Sequence, residues 1–465
     1  MQSSIPRSPN AQSRLWLFLC GATALLVLLS AAAEHQLQSF RGPRGQSDIV
    51  GEDFPIYYTA GKVAGEAGDR RLYYSVRGAE KASARNLLDS VDPETGWGQT
   101  AQSSGFHTTG QFMAPPFTAI MMEPLALMPF RQSLLLWRLA STLMLIVALY
   151  FILRLSGAEW SWPIQLVASA GVALSFFPST ETIYQGQVDA LVLLLWTLGA
   201  YLVHKQQPVW SALSFALATM LKVNPVLVCG VFLIRRQWRW LAAYLLWVGA
   251  FLGIGIWRLG WQNHVLWARS VLPIVSCGVP YFASKSLPTL VVNLYLRSVP
   301  LETANLPSIP MALCWFNKGL SFVLYGGALF YFWKKSKSAA NLVYEVIVLA
   351  LVTLLISPES FRHHYLLAIL PLLYLWMRSR FWTGRSAVLC WVSLASLTLS
   401  IGTVFPDSLI VRVRNPGLDL SLSALVPAAT MLLVFASILV YPIERAPSQA
   451  DEIAEHPPMD ARRTG

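Results

Sequence analysis

Apolar runs recur along this chain, near 15–33, 133–153, 162–180, 187–203, 209–235, 238–257, 311–333, 341–356, 362–377, 385–404 and 423–441. About 20 apolar residues in an α-helix match the hydrocarbon thickness of a bilayer. In lipid each backbone N–H and C=O must find its partner inside its own segment, which leaves helices as the elements these runs form. Charged residues make up 13% of the chain, about half the share of a soluble domain. The runs predict an all-α polytopic membrane protein, a bundle of about 11–13 transmembrane helices with a long first extracytoplasmic loop.

The net charge of +11 raises the question of nucleic acid. No basic helix with interleaved aromatics is present, and the Lys/Arg clusters sit at the ends of apolar runs. The basicity therefore reads as membrane topology, and nucleic acid is not an expected partner. The clusters are "HKQQP" (204–208), "RRQWR" (235–239), "KKSKS" (334–338), "RSRFWTGR" (378–385) and the tail from Glu444. All of them fall on one side if 209–235, interrupted by "KVNP", is a hairpin of two short helices that enters and leaves by the same face.

The expected plan is a cytoplasmic N-terminus at 1–14, a first transmembrane helix at 15–33, an extracytoplasmic loop at 34–132, a multi-helix domain at 133–444 and a disordered cytoplasmic tail at 445–465. Residues 15–33 admit a second reading as a signal peptide ending in small residues, although the run is longer than a usual signal core. Within the loop, 115–130 carries Pro115, Pro116, Pro124 and Pro129 and reads as a surface-lying or re-entrant helix. The connection 258–310 holds Trp261, His264, Trp267 and Arg269, which either line the acceptor side or anchor the interface.

Four polar stretches collect at the outer side. In "GEDFPIYYTAGKV" (51–63), Glu52 and Asp53 stand beside Phe54, Tyr57 and Tyr58. They are either solvated acids in an aromatic belt or a carboxylate base at the mouth of a membrane-embedded cavity. In "QGQVDAL" (185–191), Gln185, Gln187 and Asp189 open a span, as a polar cap or as groups that touch a substrate, and Gly186 permits a close approach. In "LKVNPVLV" (221–228), Lys222 sits mid-run, which costs roughly 2.5–3.5 kcal/mol on insertion scales and calls for a partner or snorkelling. Asn224 is placed to cap a half-helix that starts at Pro225, an end that favours anions. In "SPESFRHHY" (357–365), Ser357 and Pro358 read as another helix start, followed by Arg362, His363 and His364. The plain alternative is Glu359 paired with His363 one turn on.

Cationic and dipolar groups converging on one face favour a phosphate ligand. Neighbouring histidines on a helix point about 100° apart, and no HExxH occurs, so neither a metal nor another cofactor is expected. The five cysteines are scattered without a CxxC, which argues against a disulfide framework or a zinc site.

Taken in order, "DFPIYYTAGKV", "APPFTAIMMEPLALMPF" (114–130), "GQVDALVLLLWTL" (186–198), "LSFALATMLKVNPVLVCGVFLIRRQWR" (213–239) and "SPESFRHHYLLAILPLL" (357–373) resemble glycosyltransferase family 87, multi-spanning enzymes of the GT-C type. The resemblance implies a mannosyltransferase-like enzyme of the cell (inner) membrane. It would move a hexose from a polyprenyl-phosphate sugar donor to an extracytoplasmic glycan or glycolipid acceptor, with membrane lipid around it. Asp53 matches the family's acidic residue, hence a catalytic base, and Lys222 with His363 and His364 matches its polar positions facing the donor. Beside them Asn224 and Arg362 are expected on the donor phosphate, and Glu52, Tyr57, Tyr58, Gln187 and Asp189 on substrate. Asp189 stands where asparagine is commoner in the family, and 73–114 is a longer insertion. No DxD-type carboxylate pair is present, so transfer without a divalent metal is expected. The alternatives are a lipid-linked sugar flippase, for which the chain lacks two related halves, and a GT-C transferase for another sugar.

Overall fold

The computed structural model describes residues 53–66, 71–73, 96–106, 112–157, 162–278, 284–297, 309–335, 339–378, 384–402 and 416–440. Glu52, the run 15–33 and the segments 1–14 and 445–465 lie outside the described residues. Among the described residues there are helices and turns and no strand. The chain is an all-α membrane protein, as its apolar runs require.

The helices are α1 (Phe54–Gly65), α2 (Gly96–Ser103), α3 (Pro116–Ala126), α4 (Phe130–Leu155), α5 (Trp162–Ser175), α6 (Phe177–Gln185), α7 (Asp189–His204), α8 (Pro208–Leu221), α9 (Val228–Ile234) and α10 (Trp238–Leu266). They continue with α11 (Leu272–Val275), α12 (Leu287–Leu296), α13 (Met311–Lys334), α14 (Ala339–Ile356), α15 (Ile369–Arg378), α16 (Gly384–Gly402) and α17 (Pro416–Leu439). Helix α4, α10 extended to Val271, and residues Gly417–Leu439 of α17 are each long and apolar enough to cross a bilayer. Leu135, Leu139 and Leu143, one turn apart on α4, are 60–63% exposed, and Trp257 on α10 is 80% exposed. Large apolar side chains in such stripes fit lipid and not water.

Helix α14 is apolar on every side, and Val346 through Leu351 are wholly buried. A helix of that kind belongs inside a bundle, and α14 packs against α7, α13, α17 and the 3-10 helix His363–Ala368. Its one charge, Glu345, is bound by Arg235 from the end of α9. Arg235 Nε donates at 2.9 Å, a second bond comes from its NH2, and NH2 also donates to the Phe332 carbonyl at 2.9 Å.

Among the described residues a small apolar cluster lies between α7 and α8 at Val192, Leu195, Ala218 and Leu221, and two large ones share the chain. The larger runs through α4, α7, α8, α10, α14 and α15 to α17. The smaller gathers α1, α2, α3 and the start of α4, and holds Val188 and Leu259. Val188 belongs to the smaller cluster and Ala190 to the larger, so the stretch 186–190 is the seam between them.

Two expectations are corrected. The connection that would begin at 258 is helical: α10 kinks at Gly260 (φ 78°), resumes to Leu266 and passes through a π turn, Trp267–Val271, into α11. Gly260 takes the left-handed φ that lets the backbone ladder restart. This segment braces the outer chain, because Trp267 Nε1 donates to the Met113 carbonyl at 3.1 Å and Asn263 Oδ1 accepts the Leu72 N–H at 2.9 Å. The scattered cysteines also conceal a disulfide, Cys277–Cys314, with Cα atoms 4.6 Å apart. It joins the chain after α11 to the first turn of α13, a proximity that spacing alone does not carry.

Candidate functional site

Helix α1 starts at Phe54 with Pro55 in its first turn, which suits a position whose N–H has no helical partner. It lies close against α3: a Cβ at Gly61 would come within 2.7 Å of the Met122 carbonyl group. Helix α3 is tied in turn to the end of α8, where the Thr118 hydroxyl reaches the Met220 and Leu221 carbonyls at 3.3 Å. This packing fixes Asp53, the residue before α1, beside the seam.

The turn between α6 and α7 does the rest. Gly186 closes α6 in the left-handed conformation (φ 70°), as helix C-termini favour. A Cβ there would meet the Phe54 Cβ at 2.6 Å, so the absence of a side chain lets the residue next to Asp53 pack against the turn. Trp137 Nε1 donates to the Gly186 carbonyl at 2.9 Å, and Arg138 donates to the Ile183 and Tyr184 carbonyls at 3.2 and 2.6 Å.

The polar side chains then meet. Gln187 Nε2 donates to Asp53 Oδ2 at 2.6 Å, and the Tyr57 hydroxyl donates to Gln187 Oε1 at 2.8 Å. Two residues on, Asp189 Oδ1 takes Lys222 Nζ at 2.6 Å. One ligand-type atom from each of Asp189, His363 and His364 lies within 4.8 Å of the other two. Burial, followed by the charges of Asp189, Asp53 and Glu359, pushes the Tyr57 phenol well above its usual range. It therefore stays a proton donor to Gln187. Burial lifts the Glu359 carboxyl to about 7, with Lys222 opposing the rise and Asp53 adding to it.

Lys222 and the histidines stand at interruptions in the helices. Lys222 is extended (φ −142°, ψ 133°) between α8 and the 3-10 helix Asn224–Leu227, so the break expected at "KVNP" is present. The capping expected of Asn224 is not: its Nδ2 donates to Ser357 Oγ at 3.2 Å, and no side-chain cap bond forms. Ser357 is no cap either, because its hydroxyl donates to the Glu359 carbonyl at 2.6 Å and the chain stays non-helical to Phe361. The Ser357 oxygen accepts from Asn224, 133 residues away, and not from a local N–H. No Glu359–His363 ion pair forms among the described residues.

Asp53, Tyr57, Gln187, Asp189, Lys222, His363 and His364 are thus brought together. Asn224 adjoins them and faces a cavity of about 230 Å³ whose wall also includes Asn317, Lys318, Thr353 and Ser357. Tyr58 turns away, its hydroxyl donating to the Met128 carbonyl at 2.8 Å. Arg362 is buried with its guanidinium 4.9 Å over the Phe177 ring. Sequence reasoning missed Lys285, which is 1% exposed; its N–H donates to the Ser360 carbonyl at 2.7 Å, and its carbonyl takes the Tyr365 hydroxyl at 2.8 Å. Nothing in "ASKSLP" signals that contact. Glu359 was legible as an acid, but not as a neighbour of Lys222 and Asp53.

Carboxylates, an amide, an amine and imidazoles thus gather at helix breaks inside a helical membrane protein. Residues 112–358 match the family model described as Glycosyltransferase family 87. That match spans more than half of the chain, and the chain belongs to glycosyltransferase family 87. It is therefore a glycosyltransferase with a sugar donor and an acceptor. No curated protein matches it. Gln187, Asp189, Lys222 and Asn224 lie inside the matched segment, and Asp53, Arg362, His363 and His364 lie outside it.

Proposed function

We propose that the enzyme moves a hexose, mannose, from a polyprenyl-phosphate donor to a hydroxyl of an extracytoplasmic glycan or glycolipid, with inversion at the anomeric carbon. Asp53 takes the proton from the acceptor hydroxyl as its oxygen attacks from the face opposite the phosphate. A β-linked donor gives an α-linked product, and the lipid leaves as a monophosphate. That leaving group is already acidic, so it needs positive charge more than a proton. Lys222, His363 and His364 supply donors there, with Asn224 and Arg362 beside them. Tyr57 and Gln187 orient the base, and no step passes through a metal.

The observation that carries this reading is the Gln187 bridge. It holds Asp53 at 2.6 Å, two residues from the Asp189 that binds Lys222, so base and phosphate groups share one seam. The outer placement, in a multi-pass protein of the inner membrane, draws support from Cys277–Cys314, because disulfides persist in oxidising compartments. The test is transfer from radiolabelled polyprenyl-phosphate mannose to envelope acceptors by purified protein. Asp53→Asn keeps an oxygen for Gln187 and is expected to lower turnover by about 10²–10⁴, the usual worth of a general base, in protein that remains folded. Turnover near wild type would remove Asp53 from the role, and failure of the labelled donor would remove the donor class.

A further inference from the structure

Asp189 spends one oxygen on Lys222, and the other, Oδ2, is buried without a hydrogen-bond partner. Both ring nitrogens of His363 are buried and unpartnered as well. Asp189 and His363 are 6% and 4% exposed, and a buried polar group left without a partner costs about 1–3 kcal/mol. The His363 and His364 rings lie 4.3 Å apart edge to face, and a ligand-type atom of each is within 4.8 Å of Asp189.

The expectation against a metal rested on two adjacent histidines of one regular helix. Here they sit in a 3-10 helix, and the third ligand arrives from α7. Three atoms within 4.8 Å of one another leave a common centre at most about 2.8 Å from each, so a contraction of roughly 0.7 Å reaches the ~2.1 Å of zinc–nitrogen bonds. His364 Nδ1 is 3.3 Å from the Glu359 carbonyl oxygen. As an Nδ1–H donor to it, the ring presents the Nε2 lone pair to the centre, the usual support for a ligating histidine. The rival contact, the Phe361 N–H donating to Nδ1 at 3.2 Å, would then give way. Local charge permits a cation, because Asp53, Asp189 and Glu359 all act on Tyr57, Asp53 and Lys222 both act on Glu359, and Arg362 lies over Phe177.

We propose that Asp189, His363 and His364 form a site for one divalent cation of the zinc class. Two imidazoles and a carboxylate suit Zn²⁺ or Co²⁺, whereas Mg²⁺ prefers an all-oxygen shell. The site stands on this geometry alone. Its consequence rests on the proposed donor reading: the ion takes the two imidazoles away from the donor phosphate, so it inhibits transfer and is not required for it.

The test uses tag-free, chelator-stripped full-length protein in detergent, titrated with Co²⁺ with no sugar donor present. Visible ligand-field bands saturating at one equivalent, displaced by Zn²⁺ and not by Mg²⁺, are expected. His363→Ala and Asp189→Asn each remove the bands, and His264→Ala, an imidazole on α10, keeps them. Absence of a saturable band in the wild type, or bands surviving in both His363→Ala and Asp189→Asn, overturns the site. Because the wild-type titration decides by itself, a variant that fails to fold does not blunt the test. In the transfer assay Zn²⁺ lowers turnover and excess donor restores it. Turnover unmoved by bound Zn²⁺, or lost on chelation, overturns the inhibitory role while the Co²⁺ result stands separately.

Discussion

Replacing Gly186 with alanine tests how the seam is built. The residue is left-handed at φ 70°, which costs a non-glycine residue about 1–2 kcal/mol. Its new Cβ would lie 2.6 Å from the Phe54 Cβ and 3.1 Å from the ring, and overpacking of that kind costs about 1–3 kcal/mol. Alanine also restricts the unfolded chain, which returns about 0.4–1 kcal/mol. The net loss is about 2–4 kcal/mol. Gly105 is the control: it has φ 87° and nothing within 4 Å of a built Cβ, so Gly105→Ala costs about 1 kcal/mol or less. The two variants share a backbone penalty and differ in the neighbour. To reach ordinary contact Phe54 must retreat by about 0.8 Å, carrying Asp53 away from Gln187, and a misplacement of about 1 Å can cost some 10²-fold in rate. Thermal unfolding in detergent and the transfer rate measure the two effects. If Gly186→Ala unfolds with Gly105→Ala and turns over normally, the contact with Phe54 does not position the acid.

Lys222→Met strands the Asp189 carboxylate and is expected to cost near the lower end of ~3–5 kcal/mol, since the Lys222 side chain is 22% exposed. Adding Asp189→Asn should recover about 1–3 kcal/mol in a double-mutant cycle, and simple additivity would refute the pairing. Glu359, facing Lys222 and Asp53, has a folded pKa near 7, above its unfolded value. The folded state then binds more protons between the two values, so stability falls as pH rises through about 4.5 to 7. In metal-free protein Glu359→Gln should flatten that slope, and an unchanged slope would assign it to other groups. Opening the disulfide with Cys277→Ser, which frees a separation of 37 residues, should cost about 3–4 kcal/mol by chain entropy. Cys314 should accept a thiol tag in unfolded wild type only after reduction; tagging without reduction would show that the bond is absent.

The helices were legible because lipid leaves the backbone no other way to satisfy its polar groups. The break in 209–235 was legible because Lys222 and Pro225 both resist a continuous apolar helix. Asp53, Gln187 and Asp189 could be named as polar residues out of place, but not as neighbours: Asp53 and Gln187 are 134 residues apart. Local rules failed where distant partners competed. Asn224 and Ser357 each fit a capping position and instead bind one another. The same limit hid Cys277–Cys314 and the third ligand-type group beside the two histidines.

The interruption at Lys222 also bears on how the chain is assembled. Helices α8 and α9 have 14 and 7 residues, about 21 and 10 Å of rise against a hydrocarbon layer of about 30 Å. Lipid offers no partner for the N–H and C=O groups freed between them. The shield is α14, which begins at Ala339 and contacts α9, while Ser357 just beyond it binds Asn224. The interruption therefore depends for its shield on a helix that lies far later in the chain. Residues 208–234 are expected to reach their final packing only once that helix has been made, which puts the polar cluster late in assembly.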